Sequence, residues 1–169
     1  MKHNVVLIGM MGCGKSTVGR ILAERLGLEL IDTDQYIEKR EHRSIPDIFA
    51  AEGEVYFRER ELETAQALGG RQNLVIACGG GLPLREDCIR PLAESGLVFF
   101  LRRDPGETYD SVSMTGLPLA QDGRNAFLAR FQQREPVYRR WADHIIEARS
   151  AGEAAAQISE IYYKECSSL

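Results

Sequence analysis

The residues with the clearest chemical potential lie near the start of the chain, where residues 5–17 read VVLIGMMGCGKST. An apolar run ends at Gly9, and Lys15 and Ser16 open an amphipathic segment, so the pattern G-x-x-x-x-G-K-[ST] joins a predicted strand to a predicted helix. Glycines let main-chain N–H groups turn towards a phosphate, and the positive end of the helix faces the same charge. Lys15 would reach the β- and γ-phosphates, and Ser16 would ligate Mg²⁺. The pattern predicts binding of a nucleoside triphosphate; the alternative is a glycine-rich turn with a solvated lysine.

Two aspartates form a second candidate site, in the segment IDTD at residues 31–34. In an extended segment, carboxylates two residues apart project to the same side. Beside a phosphate-binding loop, one of the two would hold Mg²⁺ through water while the other faced a substrate hydroxyl. Asp34 also precedes the helical pattern QYIEK, so it fits the N-cap of a helix equally well. The spacing alone leaves both interpretations open.

Three consecutive glycines, Gly79, Gly80 and Gly81, follow the third predicted strand. A run of this kind costs backbone entropy on folding, so an ordinary turn rarely needs it. At the carboxyl end of a strand, bare glycine backbone would let a ligand approach main-chain N–H groups. A tight turn into the following Leu-Pro pair is the alternative.

Arginines in two predicted helices are candidates for binding an anion. Arg58 can pair with Glu54 and with Glu61 on one helix face, which commonly means only a solvated charged surface. In the functional interpretation, Glu61 orients the guanidinium of Arg58 towards a substrate carboxylate. Arg134 lies in the segment REPVY, where Pro136 interrupts the helical hydrogen bonding and indicates a site.

Composition limits the classes of protein to which the chain can belong. Its 169 residues are 44% hydrophobic and 27% charged, which is typical of one folded domain spanning residues 1–169. A net charge of −4 gives no basic field for nucleic acid. We expect no membrane span and no signal peptide. The four scattered cysteines predict free thiols and a cytoplasmic protein.

Short apolar runs alternate with helical patterns along the chain, which predicts right-handed βαβ units and a parallel sheet. The fold class is therefore α/β, as a three-layer α/β/α sandwich with a five-stranded parallel sheet. The predicted strands are 5–8, 28–31, 74–77, 97–101 and 144–147. The predicted helices are 15–26, 34–40, 44–51, 54–68, 85–94, 105–110, 124–140 and 153–164. A polar island at about 111–123 is predicted to be a lid, with an ordinary surface loop as the alternative.

Taken together, these motifs resemble the shikimate kinase family of phosphate-loop (P-loop) kinases, which is related to the nucleoside monophosphate kinases. The resemblance covers essentially the whole chain. It depends on GMMGCGKST, DTD at 32–34, SIPDIFAAEGEVYFRERE at 44–61, GGG at 79–81 and REPVY at 134–138. It implies that the chain phosphorylates the 3-hydroxyl of shikimate with ATP and Mg²⁺, for aromatic amino acid biosynthesis. We expect a monomer with shikimate and ATP as its partners.

The resemblance assigns roles to individual residues. Lys15 and Asp34 would be catalytic, and Ser16 and Asp32 would serve the metal. ATP would be bound by Gly12, Cys13, Gly14, Lys15, Ser16 and Thr17. Shikimate would be bound by Asp34, Arg58, Gly79, Gly80, Gly81 and Arg134. The helical segment at about 34–61 would form the shikimate site, with Phe49 and Phe57 as apolar walls.

The lid departs from the family pattern. Leu117 stands where the family has an arginine that contacts the transferring phosphate, and the adenine-stacking arginine is replaced in the neighbourhood Tyr109-Asp110-Ser111. Arg124 would either substitute for the lid arginine or remain a solvated residue in the first turn of a helix. Two alternatives therefore accompany the predicted activity: a kinase for another hydroxylated acid such as gluconate, and a catalytically weak nucleotide-binding regulatory relative.

Overall fold

The computed structural model describes residues 2–114 and 123–166, and its strands form one parallel sheet. The strand order is β2-β3-β1-β4-β5, and every pairing is parallel. The predicted fold class and the position of each strand are confirmed to within one residue at either end. The strands are β1 (Asn4–Ile8), β2 (Glu29–Asp32), β3 (Leu74–Ala77), β4 (Gly96–Leu101) and β5 (His144–Ile146).

Helices cover both faces of this sheet in the described residues, which explains why the central strands are almost continuously apolar. Alternate residues of each strand enter separate cores. Val6, Ile8 and Phe100 lie in one core, and Val5, Leu7 and Phe99 lie in the other. The helices are α1 (Lys15–Leu26), α2 (Thr33–Glu41), α3 (Ile45–Gly69), α4 (Glu86–Ser95), α5 (Pro105–Met114), α6 (Arg124–Trp141) and α7 (Ala151–Cys166).

The first core packs against α3, α4 and α6, and the second packs against α1 and α7. Both cores therefore share one sheet, and the carboxyl ends of its strands point towards the same edge. The division of the chain into a single domain with a shikimate-binding segment stays a prediction. None of the helices in the described ranges is long and apolar enough to cross a membrane.

Helix α3 corrects one prediction, because the separate helices expected at 44–51 and 54–68 form one element with a break inside it. Gly53 adopts φ 82° and ψ 178°, outside the helical region, so the predicted interruption is present as a kink. The helix begins as predicted, since the Ser44 side chain accepts a hydrogen bond from the Asp47 N–H at 3.2 Å. The kink separates the first part of α3 from the part after Gly53, which carries Arg58.

Helix α5 corrects a second prediction, because it continues to Met114 and includes residues 111–114 of the expected lid. The side chain of Val112 explains this extension, since it is buried against the phosphate-binding loop. The rest of the predicted lid, residues 115–122 with Leu117, lies outside the described residues. A short 3₁₀ helix, Leu82–Leu84, was not predicted and follows the glycine run directly.

Candidate active site

The loop between β1 and α1 has the backbone that a phosphate-binding loop requires. Gly14, the N-cap of α1, is left-handed with φ 97°. Gly12 has φ 78°, and a β-carbon there would lie 2.1 Å from Cγ2 of Val112. Side chains at these two positions would be strained or obstructed, so the glycines of the motif are required by the fold itself. Thr108 and Val112 of α5 are the residues that face Gly12, and we call them the loop face of α5.

Lys15 lies across this loop and is almost completely buried, with 9% of the residue exposed. Its Nζ donates hydrogen bonds to the carbonyls of Gly9 at 2.7 Å and Met10 at 2.8 Å. The Cys13 sulfur is 3.7 Å from the same nitrogen. Main-chain carbonyls therefore hold the ammonium group beside the loop, and the oxygens of a bound triphosphate would replace these carbonyls as its acceptors.

Asp32 connects the end of β2 to the phosphate-binding loop. Its Oδ2 accepts a hydrogen bond from the Ser16 hydroxyl at 2.8 Å, and its Oδ1 accepts from the N–H groups of Asp34 and Gln35. Asp32 is thus the N-cap of α2, and the capping alternative considered for Asp34 is wrong. The expected extended geometry is also wrong for Asp34, because the strand ends at Asp32 and Asp34 lies in the first helical turn.

Asp34 is the carboxylate with the most perturbed titration in this site. Its pKa is raised from 3.8 to about 6, chiefly by burial and also by the negative charges of Asp32 and Glu61, while Lys15 opposes the shift. A pKa in this range leaves the group largely ionised at neutral pH yet able to accept a proton. Asp34 therefore has the properties of a general base.

The glycine run after β3 is held in place by two buried hydroxyl groups. The Gly79 N–H donates to Oγ1 of Thr33 at 2.9 Å, and the Tyr138 hydroxyl donates to the Gly80 carbonyl at 2.7 Å. Both hydroxyl-bearing residues are fully buried. These supports were missed at the sequence level, because Thr33 is hidden between two aspartates and Tyr138 reads as an ordinary core residue.

Each glycine of this run faces one of the side chains predicted to bind substrate. A β-carbon at Gly79 would lie 2.5 Å from Oδ1 of Asp34, and one at Gly81 would lie 3.0 Å from Nη1 of Arg58. Both distances are shorter than ordinary van der Waals contact, so larger residues would displace these groups. The structure therefore brings Asp34 and Arg58 to the same short stretch of bare backbone.

Gly80 occupies the middle of the run and lies between Arg134 and the phosphate-binding loop. A β-carbon there would be 3.3 Å from Nη1 of Arg134 and 3.5 Å from the main-chain nitrogen of Met11. Nη1 of Arg134 is buried and has no hydrogen-bond partner within the described residues. Because a buried guanidinium donor is costly to leave unpaired, this atom is suited to an anionic ligand.

Arg58 is paired on α3 as the sequence predicts. Its Nη1 donates to Oε1 of Glu61, and its Nη2 lies 3.5 Å from Oε1 of Glu54. The Glu61 side chain is 3% exposed, and burial raises the pKa of its carboxyl. Three cations oppose that shift: Arg58, Arg85 and Arg134. The buried Glu61 therefore orients Arg58, and the arginines around Glu61 favour its ionised form.

The two phenylalanines expected to wall the shikimate site differ in exposure. Phe57 is buried in a small core with Ile37 and Ile48, whereas Phe49 is 37% exposed. Their rings lie 4.9 Å apart. Phe49 therefore offers exposed apolar surface, and the buried ring of Phe57 packs against it.

A cavity of about 310 Å³ adjoins the phosphate-binding loop on the side of β4 and β5. Cys13, Gly14 and Thr17 line it, together with the loops that follow those two strands. Its cationic lining residues are Arg102, Arg103 and Arg149. The sequence motif predicts the loop residues but not these arginines, because the arginines belong to no motif and only the sheet brings them together.

Arg124 does not lie over the phosphate-binding loop in this structure. Its Nε is 3.7 Å from Oδ1 of Asp110, and its Nη2 would be 2.6 Å from a β-carbon at Gly106. Gly106 and Asp110 are four residues apart on α5, and helix geometry places them roughly opposite the loop face. Arg124 is therefore held on the far side of α5.

The parallel sheet, its strand order and the loop that carries Lys15 and Ser16 define a phosphate-loop kinase. The family model for shikimate kinase matches residues 11–163. The shikimate kinase of Symbiobacterium thermophilum is 41% identical over 165 residues, covering 93% of this chain and 94% of that protein. The shikimate kinase of Clostridium beijerinckii is 37% identical, with 95% of each chain covered. This chain belongs to the shikimate kinase family.

Solved structures agree with this assignment. A shikimate kinase from Acinetobacter baumannii in complex with shikimate matches with a TM-score of 0.85 at 35% identity, covering 99% of this chain and 94% of that chain. A shikimate kinase from Bacteroides thetaiotaomicron matches with a TM-score of 0.83 at 27% identity, covering 94% of this chain and 97% of that chain.

Proposed function

We propose that this protein transfers the γ-phosphoryl group of ATP to the 3-hydroxyl of shikimate, as a step of aromatic amino acid biosynthesis. The observation that carries the proposal is the convergence of Asp34, Arg58 and Arg134 on the glycine run beside the phosphate-binding loop. One base and two guanidinium groups on a bare backbone suit a small polyhydroxylated carboxylate. Membership of the shikimate kinase family supports the same substrate.

The residues of this chain divide the reaction between them. Arg58 and the unpaired Nη1 of Arg134 would bind the carboxylate of shikimate and so orient its ring. Asp34 would accept the proton of the 3-hydroxyl as the oxygen bonds to the γ-phosphorus and the bond to the leaving ADP breaks. Lys15 would exchange its carbonyl partners for phosphate oxygens and balance their charge. Catalysis is then positioning together with charge stabilisation.

We propose Mg²⁺ as the metal, and the residues present fit it. The donor set is composed of oxygens, from the Ser16 hydroxyl and the Asp32 carboxylate, which lie 2.8 Å apart. Mg²⁺ prefers a few oxygen ligands of this kind together with water and substrate phosphates. When bound, it would supply charge neutralisation to the phosphates, with Ser16 as a ligand and Asp32 acting through water.

The nucleotide would extend from the phosphate-binding loop into the adjoining cavity, where three arginines are available to its base and ribose. All four cysteines are free thiols, which supports the proposed reducing, cytoplasmic setting. A monomeric state remains a prediction.

The test is release of ADP in the presence of Mg²⁺, measured with and without shikimate. We expect release that depends on shikimate, and a phosphorylated product identified by mass and by ³¹P resonance. Lys15→Met serves as the inactive control. Turnover of gluconate instead of shikimate would replace the proposed substrate, and nucleotide binding without turnover of either acid would indicate a regulatory relative.

A further inference from the structure

The carboxylate site depends on a guanidinium group whose own position must be fixed. Nη1 of Arg58 approaches Gly81 so closely that a β-carbon there would lie 3.0 Å away. Arg58 and Gly81 belong to different elements, helix α3 and the loop after β3. A contact between these two elements must therefore fix their distance, since Arg58 can bind a ligand on the glycine run only if α3 stays beside that loop.

Arg85 makes that connection. Its Nη1 donates a hydrogen bond to the main-chain carbonyl of Arg58 at 3.0 Å, and its Nη2 donates to Oδ2 of Asp87 at 2.5 Å. Arg85 itself follows the 3₁₀ helix Leu82–Leu84 and precedes α4, so it is joined directly to the glycine run. The hydrogen bond from Arg85 thus connects the main chain of Arg58 to the loop that contains the glycine run.

The charge of Arg85 acts on the same group. Arg85 is one of three arginines that stabilise the ionised form of Glu61, against the effect of burial. Glu61 is also the residue that pairs with Nη1 of Arg58. Arg85 is 34% exposed and does not face the glycine run as Arg58 and Arg134 do. Its contacts are therefore those of a group that supports Arg58.

We infer that Arg85 is a positioning residue for the substrate carboxylate: it holds the main chain of Arg58 against the glycine run. This inference rests on the proposed function, because it assigns the carboxylate of shikimate to Arg58. The specific claim is that loss of Arg85 weakens shikimate binding through its effect on Arg58 and leaves ATP binding unchanged.

A double-mutant cycle on the full chain tests this claim. Shikimate and ATP affinities are measured by calorimetry for the unmodified protein, Arg85→Met, Arg58→Met and the double variant, together with KM and kcat. We expect Arg85→Met to weaken shikimate binding about tenfold, and to weaken it less than about twofold when Arg58 is already Met. The KM for ATP should stay unchanged. Arg90→Met is the matched control, since Arg90 lies on α4, is exposed and pairs with Glu86.

Arg85→Lys provides a second measurement, which also covers the case in which Arg85→Met does not fold. Lysine keeps the charge but lacks the fork that reaches two acceptors, so we expect an intermediate loss of shikimate affinity. The inference is overturned if Arg85 variants weaken shikimate and ATP alike, if shikimate affinity is unchanged, or if Arg85→Met has the same effect in both backgrounds. Failure of the unmodified protein to phosphorylate shikimate would instead refute the proposed function.

Discussion

Gly79 faces Asp34 so closely that a β-carbon on Gly79 would lie 2.5 Å from Oδ1 of that carboxylate. The Gly79 N–H is also bound by Thr33, the residue immediately before Asp34. The glycine run and the start of α2 therefore fit closely together around Asp34, the proposed general base, and the absence of a side chain at Gly79 determines where Asp34 can lie.

Gly79→Ala should consequently impair catalysis by displacing Asp34. We expect kcat to fall by at least about tenfold, because misplacing a reacting group by a fraction of an ångström is costly. Steady-state kinetics with shikimate and ATP measure this loss. Gly70→Ala is the matched control, since the nearest atom to a β-carbon there is 3.8 Å away. Equal activity in the two variants would show that Asp34 tolerates the added methyl group.

Asp34→Asn should abolish turnover and, at alkaline pH, stabilise the fold. The pKa of Asp34 is raised from 3.8 to about 6 in the folded protein, so the folded protein binds this proton more tightly than the unfolded chain does. Ionisation of Asp34 therefore destabilises the fold increasingly from about pH 4, and the full effect is reached above about pH 6. The variant should gain about 2–3 kcal/mol at pH 8, at about 1.4 kcal/mol per pKa unit. The gain should shrink mainly between pH 6 and pH 4, where only a small part of it remains.

Thermal unfolding of both proteins from pH 4 to pH 8, without Mg²⁺ or nucleotide, checks this prediction. A gain of this size should raise Tm by about 5 °C or more. Lower stability of Asp34→Asn throughout the range would mean that the carboxylate makes a favourable contact in the fold.

Arg134→Ala should weaken shikimate binding far more than ATP binding. Loss of a charge-assisted contact in a desolvated site leaves the ligand carboxylate unpaired, at a cost of roughly 2–5 kcal/mol. Calorimetry with each ligand separates the two affinities. Arg130→Ala, one helical turn earlier on α6, is the control. Unchanged shikimate affinity in Arg134→Ala would remove Arg134 from the carboxylate site.

The lid gives a prediction on turnover. With Arg124 held beside Asp110 on the far side of α5, we expect Arg124→Ala to change kcat by less than about threefold. Leu117→Arg should raise kcat, since an arginine on the transferring phosphoryl group contributes roughly 10³–10⁵ in the kinases that use one. Leu119→Arg controls for added charge in the same segment. A hundredfold loss in Arg124→Ala would show instead that Arg124 moves over the phosphates during turnover.

The sequence was most informative where local patterns determine structure. The apolar runs predicted the strands, and the glycine and lysine spacing predicted the phosphate-binding loop, because both depend on neighbouring residues only. The capping alternative named Asp34 rather than Asp32, because both are plausible caps and only the end of β2 decides between them. Arg85, Thr33 and the arginines of the cavity beside the phosphate-binding loop were missed because their partners lie on distant segments. Their roles follow from tertiary contacts, which spacing along the chain does not encode.

The contacts of Lys15 have a consequence for how nucleotide affinity responds to mutation. Its ammonium group donates hydrogen bonds to two main-chain carbonyls, those of Gly9 and Met10. An incoming triphosphate therefore competes with the protein's own backbone for one cation, and the measured affinity is the difference between two bound states. Changes that disturb the carbonyls of Gly9 and Met10 without altering the phosphate contacts would weaken the competing hydrogen bonds of Lys15, so the nucleotide should bind more tightly.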